Sequence, residues 1–119
     1  MAKGDDIQDR LINFSVAIIE LCEKLPDTYA GKHLASQLLR CGTSPAPNYG
    51  EARGAESKRD FIHKLRIVLK ELNESGIWLE TAKRGQLLSM DILTPIFDEC
   101  TQLSKIINSS LGTARGKSS

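Results

Sequence analysis

Few side chains in this 119-residue sequence have the type and spacing for chemistry. His33 and His63 are its two histidines, and Cys22, Cys41 and Cys100 its three thiols. The cysteines are far apart and contain no Cys-x-x-Cys spacing, which supports neither a disulfide framework nor a zinc site. A metal centre inside a helical bundle draws on paired Glu-x-x-His motifs and further carboxylates, and the nearest match is a single Asp60-x-x-His63. No metal or other cofactor is expected, and each histidine reads as a surface residue. No serine sits in a Gly-x-Ser-x-Gly elbow, and no pair of carboxylates shares a predicted cleft. The run Gly112-Thr113-Ala114-Arg115-Gly116-Lys117-Ser118 resembles a phosphate loop only superficially. Its glycines are separated by three residues rather than four, and no strand precedes it. No catalytic residue is assigned, and an enzyme is not expected.

Two other constellations stand out. Residues 53 to 70 hold Arg53, Lys58, Arg59, Lys64, Arg66 and Lys70 against Glu56 and Asp60, six minus two, or +4. Arg59, His63, Arg66 and Lys70 step by 4, 3 and 4 and share one face of a helix. One reading is a solvated face with local pairs, Asp60 with Lys64 and Lys70 with Glu74. The other is a stripe that contacts phosphates, for which Arg53 and Lys58 are further candidates. No aromatic platform accompanies it, so sequence-specific readout is not expected. The second constellation is Arg40, Ser44, Asn48 and Glu51, stepping by 4, 4 and 3. On one helix this makes a polar stripe, read as a buried Arg–Glu pair bridged by Ser and Asn that fixes a kink. Such a pair persists only when fully hydrogen-bonded, and losing Glu51 would strand a buried charge.

These residues need helices to hold them, and the hydrophobic pattern supplies four. In the first, Ile7, Leu11, Phe14, Ile18, Leu21 and Leu25 step by 4, 3, 4, 3 and 4, with Asp5 or Asp6 as cap and Pro26 as stop. The second spans about 30–41, with Leu34, Leu38 and Cys41 inward. Ser44 ahead of Pro45 can open a short helix over 45–53, since both Pro45 and Pro47 then fall in its first turn. The third starts at Ser57 with Asp60 in a near capping box and runs to about Arg84, with the stripe Phe61, Leu65, Leu69 (or Val68), Leu72, Gly76 and Leu79. The fourth spans about 90–111 through Leu93, Ile96, Cys100, Leu103 and Ile107. Short connections and steps averaging 3.5 residues predict an all-α, antiparallel up-down four-helix bundle over residues 1–111. Its second helix is kinked or broken near Gly42–Pro47, and residues 112–119 form a disordered tail.

Sixteen basic and fifteen acidic residues leave a net charge of +1, which excludes a polycationic nucleic-acid coat. The longest apolar run near the N-terminus, Val16-Ala17-Ile18-Ile19, is too short for a signal peptide or membrane span, so a cytoplasmic protein with no membrane partner is expected. Surplus apolar residues flank the core stripes: Ile12, Val16 and Ile19 on the first helix, Ile67 and Trp78 on the third, and Ile92, Ile106 and Leu111 on the fourth. They read either as the edge of a wide core or as a subunit interface, with Ile12, Val16, Ile19, Ile67, Trp78 and Ile106 as its candidates.

The run Leu38-Leu39-Arg40-Cys41-Gly42-Thr43-Ser44 followed by Asn48-Tyr49-Gly50-Glu51-Ala52 resembles the signature of the four-helix-bundle proteins encoded in intervening sequences of bacterial ribosomal RNA genes. That family is similar to the accessory protein of diversity-generating retroelements. Ser57 to Phe61, Lys64, Lys70-Glu71 and Trp78-Leu79 extend the match to roughly residues 7 to 108. Cys41 stands where the family has Ser, and Pro47 where it has a small helix former. The resemblance implies an all-α bundle assembling into a ring-like homopentamer, without an assigned activity for most members. Its retroelement branch is strongly basic and associates with a reverse transcriptase and nucleic acid, a charge this chain lacks. The reading is a non-enzymatic homo-oligomeric scaffold or interaction module. The alternative is an oligomer that binds RNA or DNA non-specifically through the basic stripe of the third helix.

Overall fold

In the computed structural model, which describes residues 4–116, the chain is helical throughout: α1 Asp5–Glu23, α2 Tyr29–Thr43, α3 Pro45–Arg53, α4 Lys58–Arg84 and α5 Met90–Ala114. α2 and α3 are two arms of one bent helix, so the architecture is a four-helix bundle with a kinked second helix. α1 packs on α2 and α5, and α4 packs on α2, α3 and α5, while the backbones of α1 and α4 stay more than 8 Å apart. They are therefore diagonal corners of the bundle. Ties between Cys22 and Ala35 near one end and between Gln8 and Ala46 towards the other make α1 antiparallel to the bent helix. Ion pairs Lys64–Glu51 and Arg40–Glu71 do the same for α4, so α1 and α4 run parallel.

The periodic stripes form the core. Leu11, Phe14, Ile18 and Leu21 of α1 meet Leu34 and Leu38 of α2, Leu65, Leu72 and Leu79 of α4, and Leu93, Leu103 and Ile107 of α5. One open choice is settled and one assignment moves by a position. On α4 Val68 is buried and Leu69 half-buried, and Ser75 rather than Gly76 points inward, satisfied by the Glu71 carbonyl at 2.8 Å. Gly76 instead faces Cys100, where a Cβ would stand 3.8 Å from the thiol sulfur. Leu111, read as surplus, is a core residue at 1 % exposure, and α5 continues past it to Ala114. Of the tail expected to be disordered, residues 112–114 are therefore helical, and residues 117–119 lie outside the described ones.

The helix ends follow from local chemistry. α1 is capped by Gly4 in the left-handed region, with Asp5 and Asp6 in the first turn rather than at the cap, where their charges still complement the helix dipole. α1 ends at Glu23, ahead of Pro26. Ser57 caps α4 by accepting from the Asp60 N–H at 3.0 Å.

The bend is the least ordinary element. Ser44 keeps helical dihedrals (φ −77°, ψ −36°) and its carbonyl accepts from the Asn48 N–H at 3.2 Å, so the backbone passes through without a loop. Pro45 and Pro47 have no N–H to donate to the turn before them, and their rings crowd it, which bends the helix. α1 braces the bend with two side-chain donors: the Ser15 hydroxyl donates to the Gly42 carbonyl at 3.2 Å and the Gln8 amide to the Ala46 carbonyl at 2.8 Å. Close approach of the two helices requires Gly42, because a Cβ there would lie 2.8 Å from both Cγ atoms of Ile18. Gly42→Ala should therefore destabilise the bundle by about 1–3 kcal/mol, the typical cost of overpacking a filled core. Chemical denaturation followed by circular dichroism would show it, and an unchanged midpoint would mean that α1 and α2 separate freely.

Candidate functional site

The expected polar stripe along the bent helix divides into three. Asn48 does bridge to Ser44, its amide donating to the Ser44 hydroxyl at 2.9 Å and carbonyl at 3.0 Å. Arg40, however, turns to α4 and pairs with Glu74 and with Glu71 at 3.5 Å, and Glu51 accepts from Lys64 at 2.7 Å. No buried Arg40–Glu51 pair exists. The stripe was drawn as though one straight helix carried it, whereas the bend places its two charged ends against different stretches of α4. Glu51 is 59 % exposed, so losing it strands no buried charge.

The Arg40 end is the more tightly organised. The Trp78 indole N–H donates to Glu74 at 3.1 Å while Arg40 reaches the same carboxylate, and the Trp78 ring stands edge-on to His33 at 5.8 Å. The Trp78 hydrogen bond, then Arg40, hold the Glu74 carboxyl below its ordinary value of 4.5, and Arg40 is raised in return. Trp78 is thus half-buried in the α2–α4 seam rather than presented as a free apolar surface.

The basic run also separates. Arg53 pairs with Asp5 at 2.6 Å, and Lys64 pairs with Glu51 rather than Asp60. Lys70 lies close enough to Glu74 to lower its pKa further, but the ion pair to that carboxylate is made by Arg40. Lys58, Arg59, His63 and Arg66 are exposed, line an open groove of about 870 Å³ with Ser57, Asp60 and Ile62, and take part in no ion pair among the described residues. Arg59, His63, Arg66 and Lys70 do share the outward face of α4, opposite its buried Leu65, Val68 and Leu72.

The six apolar interface candidates occupy three places. Ile12, Val16 and Ile19 are 46 %, 47 % and 44 % exposed on one face of α1. Ile67 lies half-buried near the α2–α4 seam, and Ile106 half-buried on α5.

A cavity that sequence spacing does not reveal lies at the end of the bundle where α1 and α4 begin and α3 and α5 end. Its volume is about 610 Å³, and its walls include Ile7, Tyr49, Arg53, Phe61, Ser110 and Thr113. Four helices contribute one turn each, so no local motif marks it; the only signal is Tyr49 within the Asn-Tyr-Gly segment. Burial raises the pKa of the Tyr49 hydroxyl. All three cysteines are free, and burial pushes Cys22 up to about 11 and Cys100 up to about 12. The Cys100 thiol donates to the Leu72 carbonyl at 3.2 Å, so these thiols serve packing rather than nucleophilic chemistry. Among the described residues no three His, Cys, Asp or Glu side chains gather as a metal site, and no helix is long and apolar enough to cross a membrane.

Fold and surface together define a small four-helix bundle with a proline-bent second helix and a charged seam along α4. The description 23S rRNA-intervening sequence protein matches residues 5–109, and the chain belongs to that family. It is also similar to a crystal structure of a protein with unknown function from the S23 ribosomal protein family of Bacteroides thetaiotaomicron, at 34 % identity and a TM-score of 0.83 over 88 % of this chain and 97 % of that one. No significant match was found among curated proteins.

Because the folded Glu74 pKa is lowered, its charge stabilises the fold above the ordinary carboxylate pKa, and that contribution is lost as pH falls through the folded value. Trp78 is the sole tryptophan and reports the change. Its fluorescence should titrate with a midpoint below 4.5, and Arg40→Gln should raise that midpoint. A midpoint at the ordinary value in the parent protein would mean that the Arg40–Glu74–Trp78 cluster is absent in solution.

Proposed function

We propose that the protein is a non-enzymatic, cytoplasmic homo-oligomer acting as a scaffold or interaction module, with the pentamer as the assembly its family resemblance favours. The carrying observation is the exposed strip Ile12, Val16 and Ile19, three aliphatic side chains on one helix face, each close to half exposed. A helix in a monomeric bundle needs one buried face, and α1 already buries Leu11, Phe14, Ile18 and Leu21 on the other side. Light scattering coupled to size exclusion at micromolar protein should give a multiple of 13.1 kDa, five-fold for the pentamer. A single species at the monomer mass would overturn this reading.

A second reading, association with nucleic acid and with a reverse-transcriptase-like partner, is favoured by one observation: Arg59, Arg66 and Lys70 face outward together without an ion pair. Phosphate contacts release counterions, so affinity for labelled RNA or DNA should fall with salt at a log–log slope of about −0.9 per contact for duplex and about −0.7 for single strands. Replacing Arg59, Arg66 and Lys70 with Gln should flatten the slope. Absence of binding at about 50 mM salt, measured by fluorescence anisotropy, would remove this reading.

A further inference from the structure

Two outward faces of the bundle, on diagonal corners, carry opposite charge. On α1, Asp9, Val16 and Glu23 recur every seven residues on the side away from the core, with Ile12 and Ile19 beside Val16 and Glu20 beside Glu23. Asp9, Glu20 and Glu23 are exposed and make no ion pair among the described residues. On α4, Lys70, Ile77 and Arg84 recur at the same spacing, preceded by Arg66, and Ile77 is 66 % exposed. Arg84 is tied only to Glu80 of its own helix, an exposed pair one turn away that can rearrange at little cost. Seven residues rise about 10.5 Å in both helices, so acid, apolar and acid on α1 match base, apolar and base on α4.

The matching groups also stand at similar heights. Arg10 reaches Glu99 on α5 at 2.7 Å, and the adjacent Cys100 reaches the Leu72 carbonyl on α4. These ties set Asp9 near Lys70, while the end cavity shared by Ile7 and Phe61 sets it lower, so the two faces match in height to within about two helical turns. Since α1 and α4 are parallel, a second copy rotated about an axis along the bundle brings its α1 against α4 of the first with a lengthwise shift of no more than about two helical turns. Such a head-to-tail contact uses two different patches per subunit, the interface type that builds rings where its rotation closes and open filaments where it does not. A two-fold contact of α1 on its own antiparallel copy would instead set Asp9 against Glu23, and like charges across an interface suppress pairing.

The geometry points to α4 as the receptor for α1 of a second copy of this chain, with Asp9 on Lys70, Val16 on Ile77 and Glu23 on Arg84. This interface rests on the homo-oligomer reading and specifies its contacts. It also places part of the basic stripe inside the assembly, in competition with nucleic acid. Two variants with unaltered cores test it: Val16→Asp on α1, and Arg66→Glu with Lys70→Glu on α4, each checked for parental helicity by circular dichroism. Each variant alone should run at monomer mass, because each loses one of the two patches. Mixed in equal amounts they should form a one-to-one pair and nothing larger, since one intact α1 face and one intact α4 face remain. An α4 variant that keeps the parental oligomer mass, or a mixture that stays monomeric while the parent assembles, would overturn the interface but leave the oligomer standing. A parental protein that is itself monomeric would overturn both.

Discussion

The rest of the bundle is arranged around the bend between α2 and α3. Two prolines remove two backbone donors in succession, and a helix that lacks them holds its direction only if a neighbour fixes it. That neighbour is α1, which gives Ser15 and Gln8 to carbonyls on either side of the bend and packs Ile18 against the bare Cα of Gly42. Because the support comes from side chains at fixed positions of α1, the bend locks the lengthwise register of α1 against the second helix. That register in turn fixes which turn of α4 each arm faces. Arg40 on one arm meets Glu71 and Glu74, and Glu51 on the other meets Lys64.

The electrostatics of the surface follow from this geometry. Charges on the flank of α4 that faces the bent helix find partners, so the seam contains Glu71, Glu74 and Lys64 in pairs. Arg59, Arg66 and Lys70 on the outward flank have no helix opposite and make no ion pair among the described residues, which concentrates positive charge along them. α1 shows the converse, keeping Asp9, Glu20 and Glu23 on its outer side while Arg10 is drawn to Glu99. A net charge of +1 thus conceals two faces of opposite sign. Total charge excludes a polycation but says nothing about this separation.

Much of the architecture was legible in the sequence because its cause is periodic. Leu11, Phe14, Ile18 and Leu21, or Leu93, Cys100, Leu103 and Ile107, recur at helical spacing, and any bundle must bury such stripes. Ser57, with Asp60 three residues on, marks the start of α4 just as clearly. What escaped depends on distance between helices rather than spacing along one. Ser75 and Gly76 differ by a rotation that only the position of α5 decides, with Gly76 turned towards Cys100. Leu111, four residues after Ile107, continues the core stripe that the sequence reading ended at Ile107. The partners of Arg40, Glu51 and Lys64 depend on the bend angle, which two prolines announce but do not specify. The end cavity gathers Tyr49, Arg53, Phe61 and Ser110 from separate helices, and no window along the chain contains them together.

The placement of the cysteines has a consequence for how the protein responds to oxidants. With Cys41 and Cys100 buried, Cys22 half-buried, and Cys22 and Cys100 held in the thiol form by their raised pKa values, the folded chain exposes little thiolate to peroxide or to disulfide exchange. Unfolding removes that protection from all three at once. An odd number of cysteines cannot pair completely within one chain, so any unfolded molecule in an oxidising medium retains one thiol able to link to another chain. The folded chain thus shields its thiols, whereas unfolding under oxidising conditions opens a route to cross-linked aggregates.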